Sequence, residues 1–245
     1  MTYAIARRDW SAQALLAPVT SQDIRCTPDE AREHEPRIWT DLVAEYDARL
    51  LQAELLGRAT AFSPEFLRFL DAWAEDEEHH SNGLLRLYSL VTREPEDAVR
   101  ERLAERRGDF SAMDSWLDDE FLLLVLFAYD EAMSTHGYGE DIPFYASLGP
   151  LAFETLLREM KNDEALHYAN AMRVLAANHA HRAADVAGAM DRIVAFDADQ
   201  DEYRATFVLD HATSQFSAEQ MEKVGASVRA ALERRMRTAG PSVQS

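Results

Sequence analysis

Asp76-Glu77-Glu78-His79-His80 and Asp163-Glu164-Ala165-Leu166-His167 carry the same frame, Asp-Glu-x-x-His, at an offset of 87 residues (164 − 77). Each copy lies inside a long segment free of Gly and Pro with helical patterning. Residues three apart share a helix face, so each copy aims one carboxylate and one imidazole in the same direction. A single Glu-x-x-His in a Glu-rich helical chain is usually an exposed surface pair. Two copies on separate helices, each with a Glu-bearing helix upstream, predict a cage of four carboxylates and two histidines between four helices.

Start and stop signals give the helices around the two frames. Thr27-Pro28-Asp29-Glu30 is a capping box with Pro at the first helical position. Pro36 is expected to restart that helix, so that Arg37 to about Ala61 forms the first bundle helix. Ser63-Pro64 opens the second, which carries the first frame and ends near Val91. Pro95 to Gly108 reads as a short charged crossover. The third long helix is expected from Met113 to about His136, broken by Gly137 and Gly139, with Glu140 to Pro143 as a connecting turn. Pro150 opens the fourth, which carries the second frame to about Ala180. Further helices are expected over roughly Arg182–Phe196 and Ser217–Arg237, with residues 239–245 a frayed tail. The chain is therefore expected to be all-α. It forms one domain over residues 1–238, with a four-helix core at about 37–180 and helices appended at its C-terminal end.

Composition narrows the function classes. The formal net charge is −19, from 44 acidic against 25 basic residues, which argues against nucleic acid and repels acidic protein partners. The Arg100–Arg107 and Arg234–Arg237 clusters read as solvated helix faces. Cys26 is the single cysteine, so neither a disulfide framework nor a Cys-based metal site is expected. The longest apolar run, Phe121 to Ala128, is too short for a membrane span. No signal-peptide core follows the N-terminal charges, so a cytoplasmic chain with no membrane partner is expected.

The two frames supply Glu77, His80, Glu164 and His167, and the remaining ligands must come from the other helix of each hairpin. Glu131 lies 33 residues before Glu164 (164 − 131), on the face that carries Leu124 and Ala128. Glu45 lies 32 before Glu77 (77 − 45), while a turn centred near residue 62 places about residue 47 opposite Glu77. Glu45 is preferred, Asp47 competes with it, and Glu54 lies close to the turn. Hard anionic oxygens with a few nitrogens suit oxygen-activating iron, and four carboxylates neutralise two ferrous ions in a dry core. Asp76 and Asp163, each just before a ligand Glu, are placed to accept from a histidine ring. Glu78 and His79 neighbour the ligands but face elsewhere. His34, His179, His181 and His211 read as surface or packing residues. Phe121, Leu124, Phe127, Leu84, Leu87 and Met160 form either an apolar channel or plain core.

Three stretches carry a family resemblance. Trp73-Ala-Glu-Asp-Glu-Glu-His-His-Ser-Asn-Gly-Leu-Leu85 resembles the Trp-x-x-Glu-Glu-Asn-Arg-His-Gly-Asp-Leu-Leu signature of the soluble acyl-carrier-protein desaturases, within the ferritin-like di-iron carboxylate superfamily. Asn162-Asp-Glu-Ala-Leu-His-Tyr168 resembles their Asp-Glu-Lys-Arg-His-Glu, and Ser134-Thr-His-Gly137 their Ser-His-Gly. The resemblance covers roughly residues 38–180. It implies a ferritin-like four-helix bundle, two iron ions with O2 as co-substrate, and Glu77, His80, Glu131, Glu164 and His167 as ligands. It also places the Ser134 hydroxyl where a proton is delivered beside the oxygen-binding face; a helix Ser bonded to its own backbone is the competing reading. The implied activity is oxidation of an unactivated C–H bond, by desaturation or hydroxylation, in an acyl chain or similar apolar metabolite, free or on a carrier protein. Electrons come from a ferredoxin or flavin reductase, and a homodimer is expected by analogy. N-oxygenation or hydroxylation of an amine or aromatic is the alternative. Iron storage or peroxide handling ranks below both: the chain has no Cys-x-x-Cys module and its extra helices exceed a minimal bundle. A helical interaction module that binds no metal is the remaining reading.

Overall fold

Helix caps set where the elements begin. The computed structural model describes residues 4–199, 204–209 and 216–239, and every regular element among them is helical. His211 and the expected tail beyond Ala239 lie outside the described residues. A short α1 (Ala12–Leu16) starts on the Ser11 side chain, which accepts from the Ala14 amide. The Thr27/Glu30 capping box forms at the start of α2 (Pro28–Gly57). Ser63 caps α3 (Pro64–Thr92), which ends on Arg93 in a left-handed conformation at φ 65°. The short α4 (Glu96–Ala104) and α5 (Asp114–Leu117) cross to α6 (Glu120–Leu148), and only Gly149 and Pro150 separate it from α7 (Leu151–His179). A 3₁₀ segment, Ala180–Asp185, leads to α8 (Val186–Ala198), and α9 (Ala218–Ala239) follows. No described helix is long and apolar enough to cross a membrane.

Three expected boundaries move. Pro36 sits inside α2 instead of restarting it. The carbonyl it deprives of a partner belongs to Arg32, and both residues are exposed, so water can serve that group. The third long helix starts at Glu120, after a break that isolates α5, and runs through Gly137, Gly139 and Pro143 to Leu148. A glycine in a helix costs about 1 kcal/mol. Here close packing outweighs that cost. A Cβ on Gly137 would come within 2.7 Å of Phe216 Cζ. The extra turns also bury Tyr138, Asp141, Ile142 and Tyr145, of which Tyr138, Asp141 and Tyr145 bond to α2.

Short turns make α2/α3 and α6/α7 antiparallel hairpins, and α3 packs on α7. Their apolar faces form two separate cores. One gathers Leu51, Phe66, Phe69, Trp73, Phe121 and Phe127 with residues of α8 and α9. The other gathers Ile38, Leu42, Leu84, Tyr88, Tyr145 and Phe153 with α1 and α4. Phe127 receives the edges of Phe69 and Trp73 at 5.2 and 5.1 Å, contacts worth about 0.5–1.5 kcal/mol each beyond burial. Between the two cores, at mid-height of the four long helices, lies a polar layer.

Candidate metal centre

That layer exists because α3 and α7 cross antiparallel at the two frames. Asp76 and His80 are four apart on α3, and Asp163 and His167 four apart on α7, so each pair shares a helix face. Antiparallel register sets Asp76 against His167 and Asp163 against His80. His167 Nε2 lies 3.3 Å from Asp76 Oδ2, and His80 Nε2 lies 3.2 Å from Asp163 Oδ2. The carboxylate of each frame thus holds the imidazole of the other. Both imidazoles turn Nδ1 inward to the glutamates.

The glutamates come from all four long helices. One oxygen or nitrogen from each of Glu45, Glu77, His80 and Glu164 lies within 4.8 Å of the others. The same holds for Glu77, Glu131, Glu164 and His167, so Glu77 and Glu164 belong to both sets. His80 Nδ1 stands 3.3 Å from Glu45 and 3.2 Å from Glu164; His167 Nδ1 stands 3.1 Å from Glu77 and 3.3 Å from Glu131. None of the six is more than 5% exposed.

The electrostatics are those of a cage without enough protons. Four buried carboxylates face two Nδ1 atoms, each able to donate once. Both oxygens of Glu77, and one each of Glu131 and Glu164, accept no hydrogen bond. Burial, reinforced by the charge of Glu77, pushes the Glu45 carboxyl well above its ordinary range. Burial, with Glu164 adding to it, does the same to Glu131. Burial works against a charged His80 and a charged His167, but the surrounding carboxylates win and raise both. Burial also opposes the Glu164 charge, yet the two imidazoles hold this carboxyl far below its usual range. Orphaned carboxylate oxygens with two imidazole nitrogens form an oxygen-rich donor set with shared carboxylates, which fits metal ions. These buried groups can hold a metal.

An outer layer supports the inner one. The carboxylate of Asp76 accepts from Arg7 at 2.6 and 3.1 Å. Burial raises the Asp76 carboxyl, and bonds from His167 and Arg7 more than reverse this, leaving it below its ordinary value. Asp163 accepts from Trp10 Nε1 at 2.6 Å. Residues 4–12 therefore strap the α3/α7 seam, helped by Asn170, which bonds the Ala6 amide and carbonyl. The Tyr138 hydroxyl donates to Glu45. Arg7, Trp10, Asn170 and Tyr138 did not figure in the sequence reading. Tyr138 had a readable signal, since it follows Glu131 by seven residues, two helical turns on the same face. Arg7 and Trp10 had none, because the segment that carries them lacks periodicity.

The remaining sequence candidates fall elsewhere. Asp47 is fully buried but pairs with Arg106, whose Nε lies 2.6 Å away, and Glu54 pairs with Arg58. Glu45 is thus the α2 residue in the cluster. Arg102 is exposed, beside Glu94 and over Trp39, whereas Arg106, also expected as solvated, is half-buried and paired with Asp47. Ser134 is half-buried and makes no hydrogen bond to the cluster. His79 accepts from the Ala12 amide at 2.6 Å; burial and then His80 depress its pKa. Glu78 faces a cavity of about 380 Å³ between α2 and α3. His179 bonds Glu120, His34 meets the Phe144 ring, and His181 is exposed. Phe121, Leu124 and Phe127 pack in one core and Leu84, Leu87 and Met160 in the other, all fully buried. A cavity that touches Glu45 mixes polar Arg49, Gln52, Ser81 and Asn82 with apolar Tyr46, Ala74 and Leu85 on its walls. Comparison with models of known protein families, with curated proteins and with solved structures finds no match.

Proposed function

We propose that the chain is a ferritin-like di-iron protein that uses O2 to oxidise a small molecule. The observation that supports this best is the pair of donor sets sharing Glu77 and Glu164, in which both buried oxygens of Glu77 and one of Glu164 lack hydrogen bonds. Glu77 and Glu164 would bridge the two ions, Glu45 with His80 would hold one, and Glu131 with His167 the other. When bound, a ferrous pair supplies reductive activation of O2 and thereby oxidising power toward a C–H bond. With a metal bound, Asp163 and Asp76 would accept the Nε2 protons of His80 and His167 and leave their Nδ1 lone pairs to the metal. Tyr138 steadies Glu45 beside the cavity.

Desaturation or hydroxylation of an acyl chain or similar apolar metabolite is the reading drawn from the sequence, with electrons from a ferredoxin or flavin reductase. A second reading, N-oxygenation of an amine or hydroxylation of an aromatic, gains support from Arg49, Gln52, Ser81 and Asn82, the polar half of the cavity walls at Glu45. Oxygen consumption with medium-chain acyl substrates against arylamines, with reductant supplied, separates the two.

Anaerobic loading with ferrous salt, followed by exposure to oxygen and absorbance spectroscopy, tests the centre itself. Binding of about two irons per chain is expected, with loss of both in the Glu77→Ala/Glu164→Ala double variant. Retention of both irons by that variant would overturn the assignment. A very large particle in size-exclusion chromatography would favour iron storage instead.

A further inference from the structure

The chain contains only two lysines, Lys161 and Lys223, against 23 arginines (25 basic residues less two). Both line one groove of about 810 Å³, although Lys161 belongs to α7 and Lys223 to α9. Neither makes an ion pair or hydrogen bond among the described residues, whereas Arg58, Arg102, Arg106 and Arg182 are all ion-paired. In a chain of net charge −19, two unpaired lysines lining one concavity form a local field opposite to the global one. Lys161 lies against α6, its Nζ 3.0 Å from where a Cβ on Gly139 would stand. A side chain at that position would crowd it.

The walls between the lysines are largely apolar, with Ala132 of α6, Ala165 of α7 and Val228 of α9, and Tyr168 beside them. The one acidic lining residue, Glu140, is engaged by His136 at 3.3 Å and by Gln220 at 3.3 Å. Such a groove has the size and the lining of a small-ligand site, mostly apolar with a few placed charges.

We propose that this groove binds an amphipathic organic monoanion, a carboxylate on a short apolar chain, with its head at Lys161 and Lys223 and its body along Ala132, Ala165 and Val228. Lysine is a compact point charge, so it recognises the head by its charge. The net charge of the protein opposes a dianion more strongly than a monoanion, which favours a carboxylate over a phosphate. The site is separate from the metal-binding residues, and its test works with or without metal.

The test uses the full-length chain, once after chelation and once after ferrous loading. Octanoate, octylamine and inorganic phosphate are titrated calorimetrically. In parallel, an amine-specific acetylating reagent is applied and the two lysines are followed by mass spectrometry. Octanoate is expected to bind and to protect both lysines, and octylamine to do neither. The Lys161→Gln/Lys223→Gln variant should lose octanoate affinity about tenfold or more, and the Lys161→Arg/Lys223→Arg variant should keep most of it. Unchanged octanoate affinity in the glutamine variant, or labelling that octanoate leaves unaltered, overturns the proposal. Phosphate binding as tightly as octanoate would overturn its apolar part. The same protection in chelated and loaded protein keeps this result distinct from failure of the metal reading.

Discussion

Asp76 and Asp163 show how much one residue beside a motif can carry. Each is placed by the sequence to accept from a histidine ring, and in the fold that ring belongs to the opposite frame. A carboxylate behind an imidazole fixes its tautomer and raises its basicity, and its loss typically costs 10–100-fold in metal affinity. Asp163→Asn is therefore expected to weaken metal binding by about that factor while the helical circular-dichroism signal stays unchanged. Competition against a chromophoric chelator measures it, and unaltered affinity would count against the crossed arrangement. The choice between Glu45 and Asp47 was open in the sequence for a physical reason. Counting residues from the turn locates the opposite position only to within about two residues, and two residues on a helix is a change of face. Arg106, distant in sequence, holds Asp47 on the other face.

At the scale of elements, Glu120 joins three helix ends. Its carboxylate accepts from the Ser63 amide at 2.5 Å and hydroxyl at 2.9 Å, at the start of α3, and from Asn178 and His179 at the end of α7. Burial alone would raise this carboxyl, but these partners outweigh burial and hold it at about 2. A depressed carboxyl contributes stability that is present above the unfolded value and is lost as pH falls through the folded one. The contribution of Glu120 should fade between about pH 4.3 and 2. Urea midpoints for wild type and Glu120→Gln should therefore differ at pH 6 and converge toward pH 2; a constant difference would contradict this. A second junction is α8 against α9, where a Cβ on Gly225 would lie 2.6 Å from Val194 Cγ2. Gly225→Ala gains about 1 kcal/mol of helix propensity. It overpacks a stiff β-branched neighbour at a cost of about 1–3 kcal/mol. A net loss of about 1 kcal/mol in chemical denaturation is expected, and a gain would mean that α8 and α9 yield easily.

For the whole molecule, the polar layer is a liability that a metal would convert into a clamp. Four long helices converge on carboxylates that repel one another at the centre, and the two apolar cores on either side hold them together. A metal that binds only the folded chain adds stability in proportion to the logarithm of its concentration over its dissociation constant, about 2.7 kcal/mol at a hundredfold excess. Ferrous or manganous loading should raise the melting temperature by several degrees, and a chelator should reverse the rise. The Glu77→Ala/Glu164→Ala variant should show no metal response. Because it also deprives two buried imidazoles of the Glu164 partner and leaves a cavity, it should melt lower than the metal-free wild type. An unchanged or higher melting temperature for that variant would mean that relief of the central repulsion outweighs both losses.

The sequence by itself determined the all-helical class, the caps of α2 and α3, and the two repeated frames with their inward glutamates and histidines. These are local properties, set by spacing along 3.6-residue turns and by side-chain capping. Tertiary structure decided the rest. The continuation of α6 through Gly137 depends on Phe216, the crossed Asp–His pairs on antiparallel register, and the Arg7–Trp10 strap on the surface of α3 and α7. Each joins residues about 70 or more positions apart, where local spacing carries no information and the packing of the assembled helices supplies the free energy.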